Sequence, residues 1–111
     1  MSVTRTTDPF EIDFRKKFEL TDKVIIITGA CGLVGRAFCE AVAQYGAHVV
    51  VADIALAAPE KFAQTLSERH NRKMLGIAID VSSRQDIENL KTTVLSTFNR
   101  IDGLVNGHQN K

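Results

Sequence analysis

A parallel α/β sheet with crossover helices is the fold this sequence predicts, and three features predict it. Strand-sized β-branched runs alternate with longer segments whose apolar residues recur at helical spacing. A glycine-rich turn joins the first run to the first helical segment, and the second run ends in an acid, Asp53. Strand, helix, strand, helix, strand, helix, strand is the order that builds a parallel sheet covered by helices.

Each element has its own signal. Lys23 to Thr28 (KVIIIT) is a continuous apolar run, as expected of a strand buried on both faces. After the turn, Val34, Phe38, Ala41, Val42 and Tyr45 recur at helical spacing until Gly46 stops the helix, with Tyr45 expected to help pack its apolar face. His48 to Asp53 (HVVVAD) is the second strand. Pro59 opens a second helix, with Phe62, Ala63 and Leu66 on one face and an end near Asn71. Met74 to Asp80 (MLGIAID) is the third strand. Ser83 with Asp86 resembles a capping box, and Ile87, Leu90, Val94 and Phe98 then trace an apolar stripe. Ile101 to Asn106 (IDGLVN) is the fourth strand. Right-handed crossovers in a doubly wound sheet place these strands in the order 3-2-1-4.

Composition bounds the rest. The chain has 111 residues, enough for one domain, with 44% hydrophobic and 24% charged residues and a net charge of +1. That balance gives no electrostatic reason to expect nucleic acid or an anionic membrane as partner. No apolar run approaches the roughly 20 residues of a membrane-spanning helix, and no apolar stretch follows the first basic residue as in a secretory signal. Two cysteines, Cys31 and Cys39, are too few for a disulfide framework, and His48, His70 and His108 lack metal-ligand spacing. No metal is expected, and the location expected is a reducing cytoplasm. Residues 1 to 22 form an N-terminal extension, where Phe10, Ile12 and Phe14 alternate briefly, as in an extended segment or a tail. Residues 23 to 111 form the nucleotide-binding unit.

The turn reads Thr28-Gly29-Ala30-Cys31-Gly32-Leu33-Val34-Gly35. Between a strand and a helix, glycines in this pattern suit a dinucleotide: Gly29 for the tight turn, Gly32 for approach of the pyrophosphate, Gly35 for close helix packing. The helix N-terminus adds free N–H groups and partial positive charge. Asp53 is placed to accept hydrogen bonds from the adenine ribose hydroxyls and to repel a 2′-phosphate, and no Arg or Lys follows it within Ile54 to Ala58. NAD is therefore expected over NADP. Asp80, followed by Val81, either hydrogen-bonds the adenine or caps the loop before the next helix. A P-loop is excluded because Arg36 and Ala37 follow Gly35. A methyltransferase-type turn would enter Gly-x-Gly through a polar or acidic residue, unlike Thr28-Gly29.

Taken together, Thr28-Gly29, Asp53, Asp80-Val81 and Asp102-Gly103-Leu104-Val105-Asn106 resemble a short-chain dehydrogenase/reductase, from about Phe18 to Asn106. The resemblance implies a Rossmann fold, a nicotinamide cofactor and hydride transfer to or from a carbonyl or alcohol carbon of a small molecule, in a parent that is a homo-oligomer. The implied cofactor contacts are Thr28, Gly29, Cys31, Gly32, Leu33, Gly35, Asp53, Asp80, Val81 and Asn106. The chain departs from the family pattern at two places. Leu33 stands where many single-domain members carry glycine, a spacing commoner in the extended branch of epimerases and dehydratases. After Val105 the family usually continues Asn-Asn-Ala-Gly, whereas here Asn106 is followed by Gly107-His108-Gln109-Asn110-Lys111.

The family's proton carrier is a tyrosine whose phenol, with pKa about 10, is drawn down by a lysine four residues on. The single tyrosine here is Tyr45, and Val49 stands at the lysine position. No catalytic residue is assigned. The expectation is an N-terminal, frameshifted or prematurely terminated piece of an NAD-dependent oxidoreductase, inactive by itself. The alternatives are a non-catalytic nucleotide-binding module completed by a partner chain, or a fragment of an epimerase or dehydratase.

Overall fold

In a computed structural model, residues 19 to 107 are described. The alternating Phe10, Ile12 and Phe14 and the final His108 to Lys111 lie outside the described residues. Four strands, β1 (Val24–Thr28), β2 (His48–Asp53), β3 (Leu75–Ala78) and β4 (Gly103–Asn106), form one sheet in the order β3-β2-β1-β4. All three pairings are parallel, with Thr28 beside both Ala52 and Asn106. Three helices connect them: α1 (Leu33–Gln44), α2 (Pro59–His70) and α3 (Arg84–Phe98). The predicted element and strand orders are both present.

Period-two alternation divides the sheet into two faces. Ile27, Val49 and Val51 meet Cys39, Val42 and Ala43 of α1 and Phe62, Ala63 and Leu66 of α2. Val24, Ile26, Val50 and Ala52 meet Leu90 and Val94 of α3. Because both faces are covered, Val49, Val50 and Val51 are all wholly buried, which explains the unbroken apolar run. Each such side chain contributes about 1.5–3 kcal/mol of transfer free energy. Among the described residues, no helix is long and apolar enough to cross a membrane.

Several local details differ from the sequence expectation. The buried residues of α1 are Gly35, Cys39, Val42 and Ala43, while Val34, Phe38 and Tyr45 are exposed. Tyr45 is the C-cap and does not pack the apolar face. β3 ends at Ala78, although the Ile79 N–H still donates to the Asp53 carbonyl at 2.8 Å. The capping box is half formed. Ser83 Oγ accepts the Asp86 N–H at 3.1 Å, but the Asp86 carboxylate accepts the Asp80 N–H at 2.8 Å. A short 3-10 turn, Ala55–Ala57, leads into α2 through Ala58 at φ 52°.

At the opposite end of the sheet from the glycine turn, Asp102 closes the entry to β4. Its Oδ2 accepts the Val24 N–H at 2.8 Å and the Arg100 Nε–H at 2.7 Å, and its Oδ1 accepts from Arg100 Nη2 at 2.7 Å. Arg100 first, and then the Val24 amide, hold this carboxyl below its ordinary value of 3.8. Asp22, paired with Arg72, is lowered in the same way. A carboxyl with a lower pKa folded than unfolded stabilises the fold above its unfolded pKa, and that contribution is lost as pH falls through the folded value. The urea midpoint should therefore hold at neutral pH and fall once the pH drops below about 3.8. Asp102→Asn should show a shallower acid dependence than the unaltered chain. Superimposable acid profiles would rule out this role for Asp102.

Candidate dinucleotide site

The C-terminal ends of the strands bring the expected residues to one edge of the sheet, where ligands bind in open α/β folds. Three glycines act differently there. Gly29 has φ 63°, the left-handed region that disfavours side chains. At Gly35 an added Cβ would lie 2.2 Å from the Gly29 carbonyl oxygen and 2.8 Å from Ala30 Cα, so α1 seats against the turn only without a side chain. At Gly32 the same atom would meet only the Gly29 carbonyl oxygen, at 3.6 Å, with φ −74°. The chain's own packing does not require glycine at position 32.

Gly32 is the N-cap of α1 and offers no side-chain cap, and the first turn holds no acidic residue. The helical ladder begins with the Arg36 N–H donating to the Gly32 carbonyl at 2.8 Å. The N–H groups of residues 33 to 35 thus have no acceptor among the described residues, and no acid in the first turn offsets the partial positive charge of the helix end.

Asp53 is fixed against this turn. Its Oδ2 accepts the Cys31 N–H at 2.8 Å and its Oδ1 accepts the Ile54 N–H at 2.7 Å. Across the sheet, Thr28 Oγ1 donates to Asn106 Oδ1 at 2.9 Å, and the Gly107 N–H donates to the Thr28 carbonyl at 2.9 Å. Asp80 organises the loop after β3: its Oδ1 accepts both the Ser82 N–H at 2.9 Å and the Ser82 hydroxyl at 2.6 Å. Those bonds lower its pKa from the ordinary 3.8. Of the two roles expected for Asp80, loop capping is thus the one formed within the chain.

Gly29, Asp53, Asp80 and Val81 line one cavity of about 260 Å³ together with Ile54, Ile79 and Ser82. Ile54, Ile79 and Ser82 were absent from the sequence-based set, because single apolar and serine residues beside an acid carry no motif of their own. Leu33 does not line this cavity. It is 90% exposed and borders a separate groove between α1 and α2.

The cysteines offer no ready nucleophile. Burial, then the Asp53 charge, raises the Cys31 pKa above its ordinary 9.0, and burial pushes the Cys39 thiol to about 12. Tyr45, at the C-terminal end of α1, is remote in the fold from the N-terminal turn of that helix where the glycines lie. Among the described residues no group of three or more His, Cys, Asp or Glu side chains could hold a metal ion.

A parallel doubly wound sheet with a glycine turn answered by an acid at the end of its second strand defines a Rossmann-type nucleotide-binding unit. The short chain dehydrogenase family model matches residues 23–108, and the chain belongs to that family. It is 32% identical to an NAD-dependent glycerol dehydrogenase of Listeria innocua over 93 residues, which cover 84% of this chain and 35% of the relative. It is 38% identical to the 15-hydroxyprostaglandin dehydrogenase [NAD(+)] of Homo sapiens over 85 residues, covering 76% of this chain and 32% of that enzyme. Among solved structures, it is similar to L-sorbose reductase from Gluconobacter frateurii, complexed with NADPH and L-sorbose. The TM-score is 0.78 at 29% identity, covering 84% of this chain and 35% of that one. NAD+-bound xylitol dehydrogenase gives a TM-score of 0.70 at 27% identity, covering 77% and 32%. The chain spans about a third of the length of the relatives it matches.

Proposed function

We propose that these residues are the dinucleotide-binding part of an oxidoreductase that exchanges hydride between NAD and a carbonyl or alcohol carbon of a small molecule. The observation that carries this reading is the pairing of the Asp53 carboxylate with the glycine turn, beside helix N–H groups left without acceptors. In this reading the open backbone at Gly32 and the N–H groups of residues 33 to 35 receive the pyrophosphate, with Thr28, Gly29, Cys31, Leu33 and Gly35 shaping the turn. Asp53 accepts from the adenine ribose hydroxyls. The adenine lies by Asp80 and Val81, and Asn106 stands toward the nicotinamide end.

NAD is the dinucleotide we favour. A carboxylate at Asp53 repels a 2′-phosphate by charge, and the two relatives above carry NAD in their names. The nicotinamide supplies the hydride chemistry when bound, while these residues bind and orient it. The reacting hydroxyl and its lysine are not among these 111 residues, since Tyr45 lacks the lysine partner. We assign them to polypeptide outside this sequence, in a parent that is cytoplasmic and homo-oligomeric.

Titration with NADH and with NADPH, followed by nicotinamide fluorescence, tests the reading. NADH is expected to bind at least about tenfold tighter, the equivalent of about 1.4 kcal/mol. Tighter NADPH binding would overturn the preference, and no binding of either would overturn the site.

A further inference from the structure

A second cavity, of about 640 Å³, lies between α1 and α2 and shares no lining residue with the dinucleotide cavity. Its size is that of a small-molecule site. Arg36, Lys61 and Arg69 line it, with Glu40 as the lining acid. Glu40 is taken by Arg69 and by His70 Nε2, the latter at 2.8 Å, so its charge is already answered. Arg36 and Lys61 have no carboxylate partner among the described residues. The Glu60 carboxylate is sensed at Cys31 but does not line the cavity.

Arg36 is also held in place. Its Nε–H donates to the Cys31 carbonyl at 3.0 Å, and its guanidinium carbon sits 4.5 Å from the centre of the Phe62 ring. A stacked, tethered guanidinium loses little freedom on meeting an oxyanion, and its remaining N–H groups form a fork suited to two oxygens. Lys61 adds a point charge on the facing helix. Around these cations the wall is apolar, supplied by Leu33 and by alanines such as Ala37 and Ala58.

We propose that this groove binds an organic phosphate monoester, its phosphate held by Arg36 and Lys61 and its organic part against the apolar wall. The inference does not depend on the dinucleotide reading. The carrier is a free small molecule, bound apart from the dinucleotide, since the two cavities share no lining residue.

The test is a titration of the isotope-labelled full chain with phenyl phosphate in the presence of saturating NADH, following the Arg36 side-chain and Lys61 amide resonances. Saturable shifts are expected, and Arg36→Gln with Lys61→Gln should weaken binding at least about tenfold. Thr65→Ala, a neutral lining position whose hydroxyl donates to the Lys61 carbonyl, should change affinity less than about threefold. Absence of shifts, an unchanged affinity in the double variant, or shifts seen only without NADH would overturn the proposal. The last result would mean that phosphate had entered the dinucleotide turn. A parallel titration with NADPH in place of NADH decides the carrier: joint binding with phenyl phosphate is expected, and displacement of phenyl phosphate by NADPH would overturn the proposal by giving the groove to the dinucleotide's own phosphate. If NADH does not bind at all, the dinucleotide reading fails while the phenyl phosphate comparison still decides the groove.

Discussion

Gly35→Ala is expected to destabilise the chain by about 3 kcal/mol or more, the upper end of overpacking costs. The new Cβ would come 2.2 Å from the Gly29 carbonyl oxygen, 2.8 Å from Ala30 Cα and 2.9 Å from the Ala30 carbonyl carbon. All three are backbone atoms, so no rotamer change can relieve the contact. Relief requires α1 to lift from the turn, which would unseat Cys39, Val42 and Ala43 from the sheet. Since small domains hold only about 5–15 kcal/mol in total, the loss should be plain in a urea unfolding curve. Gly32→Ala is the informative control. Its Cβ meets nothing closer than 3.6 Å at an ordinary φ, so stability should fall by less than about 1 kcal/mol. NADH binding, however, should suffer. Equal stability loss in the two variants would refute the division between a glycine for packing and a glycine for ligand.

Asp53→Ala should weaken NADH binding by roughly 1.5–3 kcal/mol, the worth of hydrogen bonds to a charged group, or about ten- to a hundredfold. It should also narrow the gap between NADH and NADPH, because the charge that repels a 2′-phosphate is removed. The carboxylate also holds the Cys31 N–H, so part of the effect would come from a loosened turn. Asp53→Asn keeps an acceptor for that amide and removes the charge. If Asn restores NADH affinity fully, the carboxylate contributes through geometry alone. An unchanged affinity in Asp53→Ala would remove the ribose role altogether.

How much of this was legible beforehand depended on the kind of signal. β1 and β2 announce themselves because burial on both faces demands unbroken β-branched runs, as Val49 to Val51 show. α2 and α3 were legible as well, since Phe62, Leu66, Leu90 and Val94 are both the large apolar residues and the buried ones. The face of α1 was not. Gly35 draws that helix so close to the sheet that small residues fill the gap, and the larger Val34, Phe38 and Tyr45 are left outside. Side-chain size then identifies Val42 but otherwise points to the wrong side. At the site, the glycines and Asp53 are legible because each answers a backbone or charge requirement. The Ile54 and Ile79 walls are not, because only folding sets them beside the acid. The cations of the second groove escaped for a related reason. Arg36 and Lys61 lie on different helices, and no spacing in the sequence joins them.

The central position of β1 has a kinetic side. Among the described strands, β1 comes first in the chain and is flanked by β2 and β4, and its two side-chain hydrogen bonds to the far segment, Val24 to Asp102 and Thr28 to Asn106, each span 78 positions. Contacts of such separation close late, because the entropy of a long loop is lost before they form. During synthesis at about 5–20 residues per second, one edge of β1 must wait several seconds for its neighbour. Over that interval Ile25, Ile26 and Ile27 present an unsatisfied ladder to any other extended chain. Chaperone demand should therefore track the delay between these two segments more closely than the final stability of the fold.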